Sequence, residues 1–149
     1  MSYINIIPLQ DARVYLRIDD TLTQDNEAIT RMINASLAKI EQITNVHLIA
    51  KSKEYVFDDL KVTVYDFPIN SLTSPTTATV VEKIQYSIYT AALKTDLKLV
   101  LNVGYTVVSD VPKDLIEVAY EMIDIMYYNK ENKLSNLSQT TLDAYRRFI

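Results

Sequence analysis

Two stretches of the chain carry a helical hydrophobic pattern. From Asp25 to Thr44, Ile29, Met32, Ile33, Leu37, Ile40 and Ile43 recur at 3.6-residue spacing, with Ala28, Ala35 and Ala38 beside them. The spacing predicts a helix over about 25–44. Thr23 or Asp25 suits its N-terminal cap, Asp25 and Glu27 favour the positive end of its dipole, and Asn45 suits its stop. The second helix is predicted over about 112–128, opened by the Val111-Pro112 step. It carries two apolar stripes, Leu115, Val118, Ala119, Met122 and Met126, and Ile116, Tyr120, Ile123 and Tyr127. An ordinary surface helix has one. Two stripes mean either a helix buried on both sides or one shared with a neighbouring subunit.

Between these helices the period changes from 3.6 to 2. Residues 54–57 read as a strand and Asp58-Asp59 as a turn. Lys61 to Phe67 alternates, with Val62, Val64 and Asp66 on one side. Pro68 and Pro75 bracket a stretch, INSLTS, that reads as a loop-rich link and not as a central strand. Val80 to Tyr89 reads as a strand pair or one long strand, and Ala91 to Asp96 as a turn or short helical crossing. Leu97, Leu99, Leu101 and Val103 share one face of a last strand that runs into Gly104. The β region therefore spans about 47–103, with four or five antiparallel strands.

The ends are shorter. Residues 1–7 are β-branched and read as an edge strand or ordered tail. Pro8 opens a helix over about 9–16, and Ser138 or Thr140 caps a last short helix through Leu142, Tyr145 and Phe148. The pattern as a whole is α+β. Two N-terminal helices pack with the long helix of the C-terminal half, around a central antiparallel β part, and a short helix ends the chain.

Composition narrows the chemistry. A chain of 149 residues fits one domain. It has no cysteine, which removes a disulfide framework, a thiolate metal site and a cysteine nucleophile. It has one glycine, Gly104, so the glycine-rich phosphate loops are excluded. Gly104 itself suits a turn that other residues resist. A net charge of −4 disfavours a nonspecific duplex binder. Acids break the apolar stretches well short of the ~18 residues a membrane span needs. His47, the single histidine, has apolar neighbours and no evident nucleophile, and reads as structural. Asp19-Asp20 and Asp58-Asp59 lack the glycine and the ligand spacing of a calcium loop. No catalytic, cofactor or metal residue is predicted.

Four features in chain order resemble one family. They are Leu9 to Asp19 (LQDARVYLRID), the long helix from near Asp25, the run Val64-Tyr65-Asp66-Phe67-Pro68-Ile69-Asn70-Ser71-Leu72, and Gly104-Tyr105 followed by Val111-Pro112-Lys113-Asp114-Leu115 and a late Tyr145-Arg146. Together they resemble the phage head–tail connector proteins, the head-completion adaptors that dock under the portal. Thr76 to Lys98 is longer and more polar than that pattern, and the last helix is shorter.

The resemblance implies a non-enzymatic virion protein of the head–tail neck, made in the host cytoplasm. It implies a homo-oligomeric ring, often a dodecamer, between portal and tail, with viral DNA passing through it and other neck or tail ring proteins beside it. On that reading the tail from about 137 to 149 contacts the portal through Leu142, Tyr145, Arg146, Arg147 and Phe148. Ile116, Tyr120, Ile123 and Tyr127 are candidates for the subunit interface. Glu117, Glu121 and Asp124 form either a solvated face or an acidic channel lining from which like charge repels DNA. The alternative is a DNA-binding or other assembly module outside any ring.

Overall fold

The computed structural model describes residues 1–58, 61–74, 79–84, 88–92, 98–131 and 133–146. Its helices are α1 (Tyr3–Ile6), α2 (Leu9–Tyr15), α3 (Asn26–Thr44), α4 (Lys113–Tyr127) and α5 (Asn136–Tyr145). Its strands are β1 (Lys51–Val56), β2 (Lys61–Val64), β3 (Ile69–Ser74), β4 (Thr79–Ile84), β5 (Ile88–Ala92) and β6 (Lys98–Val103). The class is α+β, as the pattern predicts. The chain groups into two compact units, a helical one (Met1–Thr44 with Val107–Arg146) and a β unit (Asn45–Thr106).

In the helical unit α3 is the hub and packs against each of the other four helices. Ile29, Ile33, Leu37 and Ile40 of its predicted stripe are fully buried. On α4 the buried side chains are Leu115, Val118, Ala119 and Ile123. That set mixes the two predicted stripes, because α4 packs against α3, α5 and α2 of its own chain. The second stripe thus has partners inside the chain.

Helix ends explain how the chain manages with one glycine. After α2, Arg17 takes φ 58°, Arg17 N–H bonds Val14 O at 3.0 Å, and Ile18 N–H bonds Arg13 O at 3.0 Å. After α4, Asn129 takes φ 49°, bonds Met126 O at 3.3 Å, and Lys130 N–H bonds Ile125 O at 3.0 Å. Both are Schellman closures, with the left-handed residue that usually is glycine supplied by Arg or Asn. Asn45, the predicted stop of α3, likewise has φ 56°.

The β unit holds two three-stranded antiparallel sheets, ordered β1-β6-β3 and β2-β5-β4. Central strand β6 buries Leu99, Leu101 and Val103 on one face, as its alternation predicts. They join Val64 in a core flanked by Tyr55, Phe57, Ile69 and Leu72.

Four local readings are corrected. Residues 3–6 form helix, closed by a capping box in which Ser2 N–H bonds Asn5 Oδ1 at 2.7 Å. INSLTS is edge strand β3, bulged where its register on β6 shifts between Ile69 and Ser71. Ala91 and Ala92 belong to β5 and are not part of a turn. The cap of α5 is Ser135, whose side chain accepts from Ser138 N–H at 3.2 Å, and neither Ser138 nor Thr140. Asp59, Pro75, residues 93–96 and Leu97 lie outside the described residues.

Gly104 closes the β unit with φ +96°, and a Cβ built on it would sit 2.2 Å from Ile49 O. Its N–H bonds Pro68 O at 2.9 Å, and its carbonyl accepts from Asn70 Nδ2 at 2.6 Å. The bulge at Asn70 turns that side chain toward the glycine.

Candidate functional site

Three places in the two units concentrate polar chemistry or exposed apolar surface. The first is a partly buried polar cluster in the β unit. In the β1–β6 register, Lys53 pairs with Leu101 and Tyr55 with Leu99, so both point to the core face. A lysine there needs an anion, and Asp66 provides it. Lys53 Nζ bonds both carboxylate oxygens, at 2.9 and 3.0 Å. Tyr55 donates to Oδ2 at 2.5 Å, and His47 Nε2 meets Oδ1. Each oxygen therefore has two partners, which fills a carboxylate's accepting capacity. Burial raises the Asp66 pKa, but the bonds from His47, Tyr55 and Lys53 outweigh it and hold the carboxyl well below its ordinary range. Burial, and then the bond to Asp66, pushes the Tyr55 hydroxyl far up.

A saturated carboxylate has no lone pair left to take a proton from a substrate, and Asp66 here clamps three segments together. His47 spends Nε2 on this carboxylate, and its Nδ1 is buried with no hydrogen-bond partner among the described residues. The sequence signal was Asp66 at the inward phase of the alternating run 61–67, the same phase as buried Val64. Among the described residues, no group of three His, Asp or Glu side chains could hold a metal. Nor is any described helix long and apolar enough to cross a membrane.

The second place is the face of α4 toward α2 and α5, where the predicted acidic and interface residues lie. Glu121 accepts from Ser135 N–H at 2.5 Å, from Ser135 Oγ at 3.0 Å and from Ser138 Oγ. Burial raises its pKa, but the three serine bonds dominate and lower it. Its charge also suits the N-terminus of α5. Asp124 is paired with Lys130 at 2.6 Å. Only Glu117 of the three is exposed without such a partner, so they do not form one free acidic face.

The candidate interface residues are distributed in the same way. Ile123 is fully buried and belongs to the core, so it offers nothing to a neighbour. Tyr120 stacks under Tyr15 of α2, with ring centroids 4.8 Å apart and planes at 24°. Tyr127 donates to Asp25 Oδ2 at 2.8 Å, and Ile116 is half-buried. Tyr15 itself is exposed, and its hydroxyl pKa is raised by burial first and then by Asp124, Glu117 and Glu121.

In the candidate portal tail, Leu142 is buried within the helical unit, where α5 packs on α3 and α4. It is a core residue and not a free contact. Tyr145 bonds Asp114 Oδ1 at 3.1 Å, and Arg146 pairs with Asp143 at 3.6 Å. Arg147 and Phe148 lie outside the described residues.

The third place was not read from the sequence. It is a groove of about 410 Å³ in the helical unit, walled by Ala35, Met122, Ile125, Met126 and Leu134, with Lys39 at its side. Met122 and Met126 belong to the predicted α4 stripe but stay partly open, because Ala35 across from them is too small to cover them.

No protein-family model matches the chain, and no curated protein is significantly similar to it in sequence. Solved structures are similar over nearly its whole length. One is a chain from the neck of an empty gene transfer agent (GTA) particle computed with C6 symmetry, with TM-score 0.75 and 14% identity, covering 97% of this chain and 91% of that one. Another is from the virion of a native GTA particle, with TM-score 0.76 and 14% identity, covering 100% and 93%. A third is from the neck of a native GTA particle computed with C12 symmetry, with TM-score 0.69 and 14% identity, covering 97% and 91%. At that identity the likeness establishes a common fold.

Proposed function

We propose that this chain is a structural virion protein of the head–tail neck, forming an oligomeric adaptor ring between portal and tail through which DNA passes. The observation that carries the reading is the fold. It is shared end to end with chains from particle necks whose structures were computed with six-fold and twelve-fold symmetry. The sequence resemblance to head–tail connectors points the same way. The mechanism is mechanical: subunits bury apolar surface against one another, and head-to-tail contacts close by rotation.

Portal docking falls to the chain beyond α5, with Arg146, Arg147 and Phe148 as its contacts and Tyr145 as the anchor on Asp114. Leu142 holds α5 to the helical unit and leaves that set. A truncation that tests docking therefore removes residues 146–149 and keeps α5. Mass photometry and electron microscopy of the purified chain, alone and with its portal, test the whole reading. Rings are expected, and docking is lost on truncation. A monomer under all conditions that does not bind portal refutes it.

A further inference from the structure

We propose that the groove between α3, α4 and Leu134 receives the α2 shoulder, Val14 and Tyr15, of a second copy of this chain. The inference rests on the ring reading and names the two faces that a ring would join.

Both faces are open apolar surface. Met126 in the groove is 38% exposed, while Val14 and Tyr15 are 66% and 44% exposed. Tyr15 is held in place by its stack on Tyr120, so ordering it in an interface costs little. A fixed aromatic ring beside an aliphatic side chain is a suitable anchor for an apolar cleft.

Position favours a second copy as the occupant. At roughly 100° per residue, Glu117 and Asp124 lie roughly 140–180° around α4 from Met122 and Met126. Glu117 and Asp124 are on the Tyr15 side, since Tyr15 stacks on Tyr120, which lies roughly 40–60° around α4 from them. The groove and the shoulder thus occupy opposite sides of one helix. Two unlike patches so placed make a heterologous contact, which repeats from subunit to subunit and closes into a ring when the rotation allows.

Charge favours the same pairing. The shoulder is net acidic: Glu117, Glu121 and Asp124 surround Tyr15, and Lys130, paired with Asp124, offsets only one of the three. The groove has Lys39 at its side, exposed and touching Gln42 at 3.3 Å, and exposed Lys133 next to Leu134. An acidic aromatic knob and a lysine-flanked apolar groove are complementary.

The test uses Val14→Asp and Met126→Asp, which change exposed side chains on opposite faces. Circular dichroism melting checks that both fold. Wild type, each variant and their equimolar mixture are then compared by native mass spectrometry and sedimentation velocity. Each variant alone is expected to need at least tenfold higher concentration to assemble. The mixture should give a 1:1 dimer and nothing larger, because each partner brings one intact face. Variants that assemble like the wild type, while the wild type forms rings, overturn this pairing and leave the ring reading standing. So does a mixture that forms no dimer, or a Met126→Asp protein that forms rings but no longer binds portal. A wild type that stays monomeric alone and with its portal, and does not bind it, overturns both.

Discussion

Tyr127, at the end of α4, donates its hydroxyl hydrogen bond to Asp25, 102 residues earlier at the start of α3. The bond ties the two longest helices of the helical unit where one begins and the other ends. Asp25 keeps its charge near the α3 N-terminus, where the dipole favours it.

Tyr127→Phe should lower stability by at most about 1 kcal/mol, the net worth of one hydrogen bond to a charged group at a half-open site. Tm should fall by roughly 2–4 °C. The bond to Asp25, more than burial, raises the Tyr127 pKa above 10.0. A raised value means that the contribution is complete below the ordinary tyrosine range and fades as pH climbs through the raised one. The gap between wild type and variant in thermal melts should therefore shrink only at strongly alkaline pH.

Gly104→Ala should be far more costly. The added Cβ meets the backbone of Ile49 and Ala50, which cannot rotate away as a side chain could, and φ +96° is strained for any residue with a Cβ. A loss of at least about 2 kcal/mol is expected in chemical denaturation. A loss below about 0.5 kcal/mol would show that the 49–50 segment is not held as described.

Asp66 sets the response to acid. Its carboxyl is lowered in the folded chain, so its contribution is present above the unfolded value of 3.8 and is lost as pH falls through the lowered one. Wild type should lose stability progressively below about pH 4 to 5. Asp66→Asn should be less stable at neutral pH, with a flatter slope in that window. Parallel slopes for the two proteins would exclude the clamp as the source.

Ile123→Asp and Ile116→Asp separate core from surface on α4. A charge forced into the fully buried Ile123 position should cost more than about 4 kcal/mol and unfold the helical unit. Ile116 is half-buried, and its variant should remain folded, as read by circular dichroism.

The long helices and β6 were legible because each shows a single period over its whole length. Ile29, Ile33, Leu37 and Ile40, or Leu99, Leu101 and Val103, need no tertiary information to be placed inside. α1 was not legible, because Ile4, Ile6 and Ile7 favour extended backbone and the bonds that Ser2 N–H and Oγ donate to Asn5 Oδ1 favour a turn of helix instead. β3 was hidden by its serines and by the prolines at either side of it, Pro68 and Pro75, a composition that an edge strand tolerates because only one side must be paired. On α4 the two-stripe pattern left open whether the second partner lies in the same chain or in a neighbour. Periodicity says how many faces are covered and not by which molecule. The Asp66 clamp collects His47 from one segment and Lys53 and Tyr55 from β1, and no local pattern brings them together. The groove depends on a small residue, Ala35, facing large ones, a juxtaposition that no local pattern records.

The two ends of the β unit are hydrogen-bonded to each other. Tyr105 N–H reaches His47 O at 3.3 Å, and Ala50 N–H reaches Tyr105 O at 3.0 Å. Seen from α3 and α4, everything between them is a cassette that leaves the chain and returns to it at one doorway. Once it folds, the long excursion between the two helices is already closed, and the entropy of bringing them together shrinks to that of a short connection.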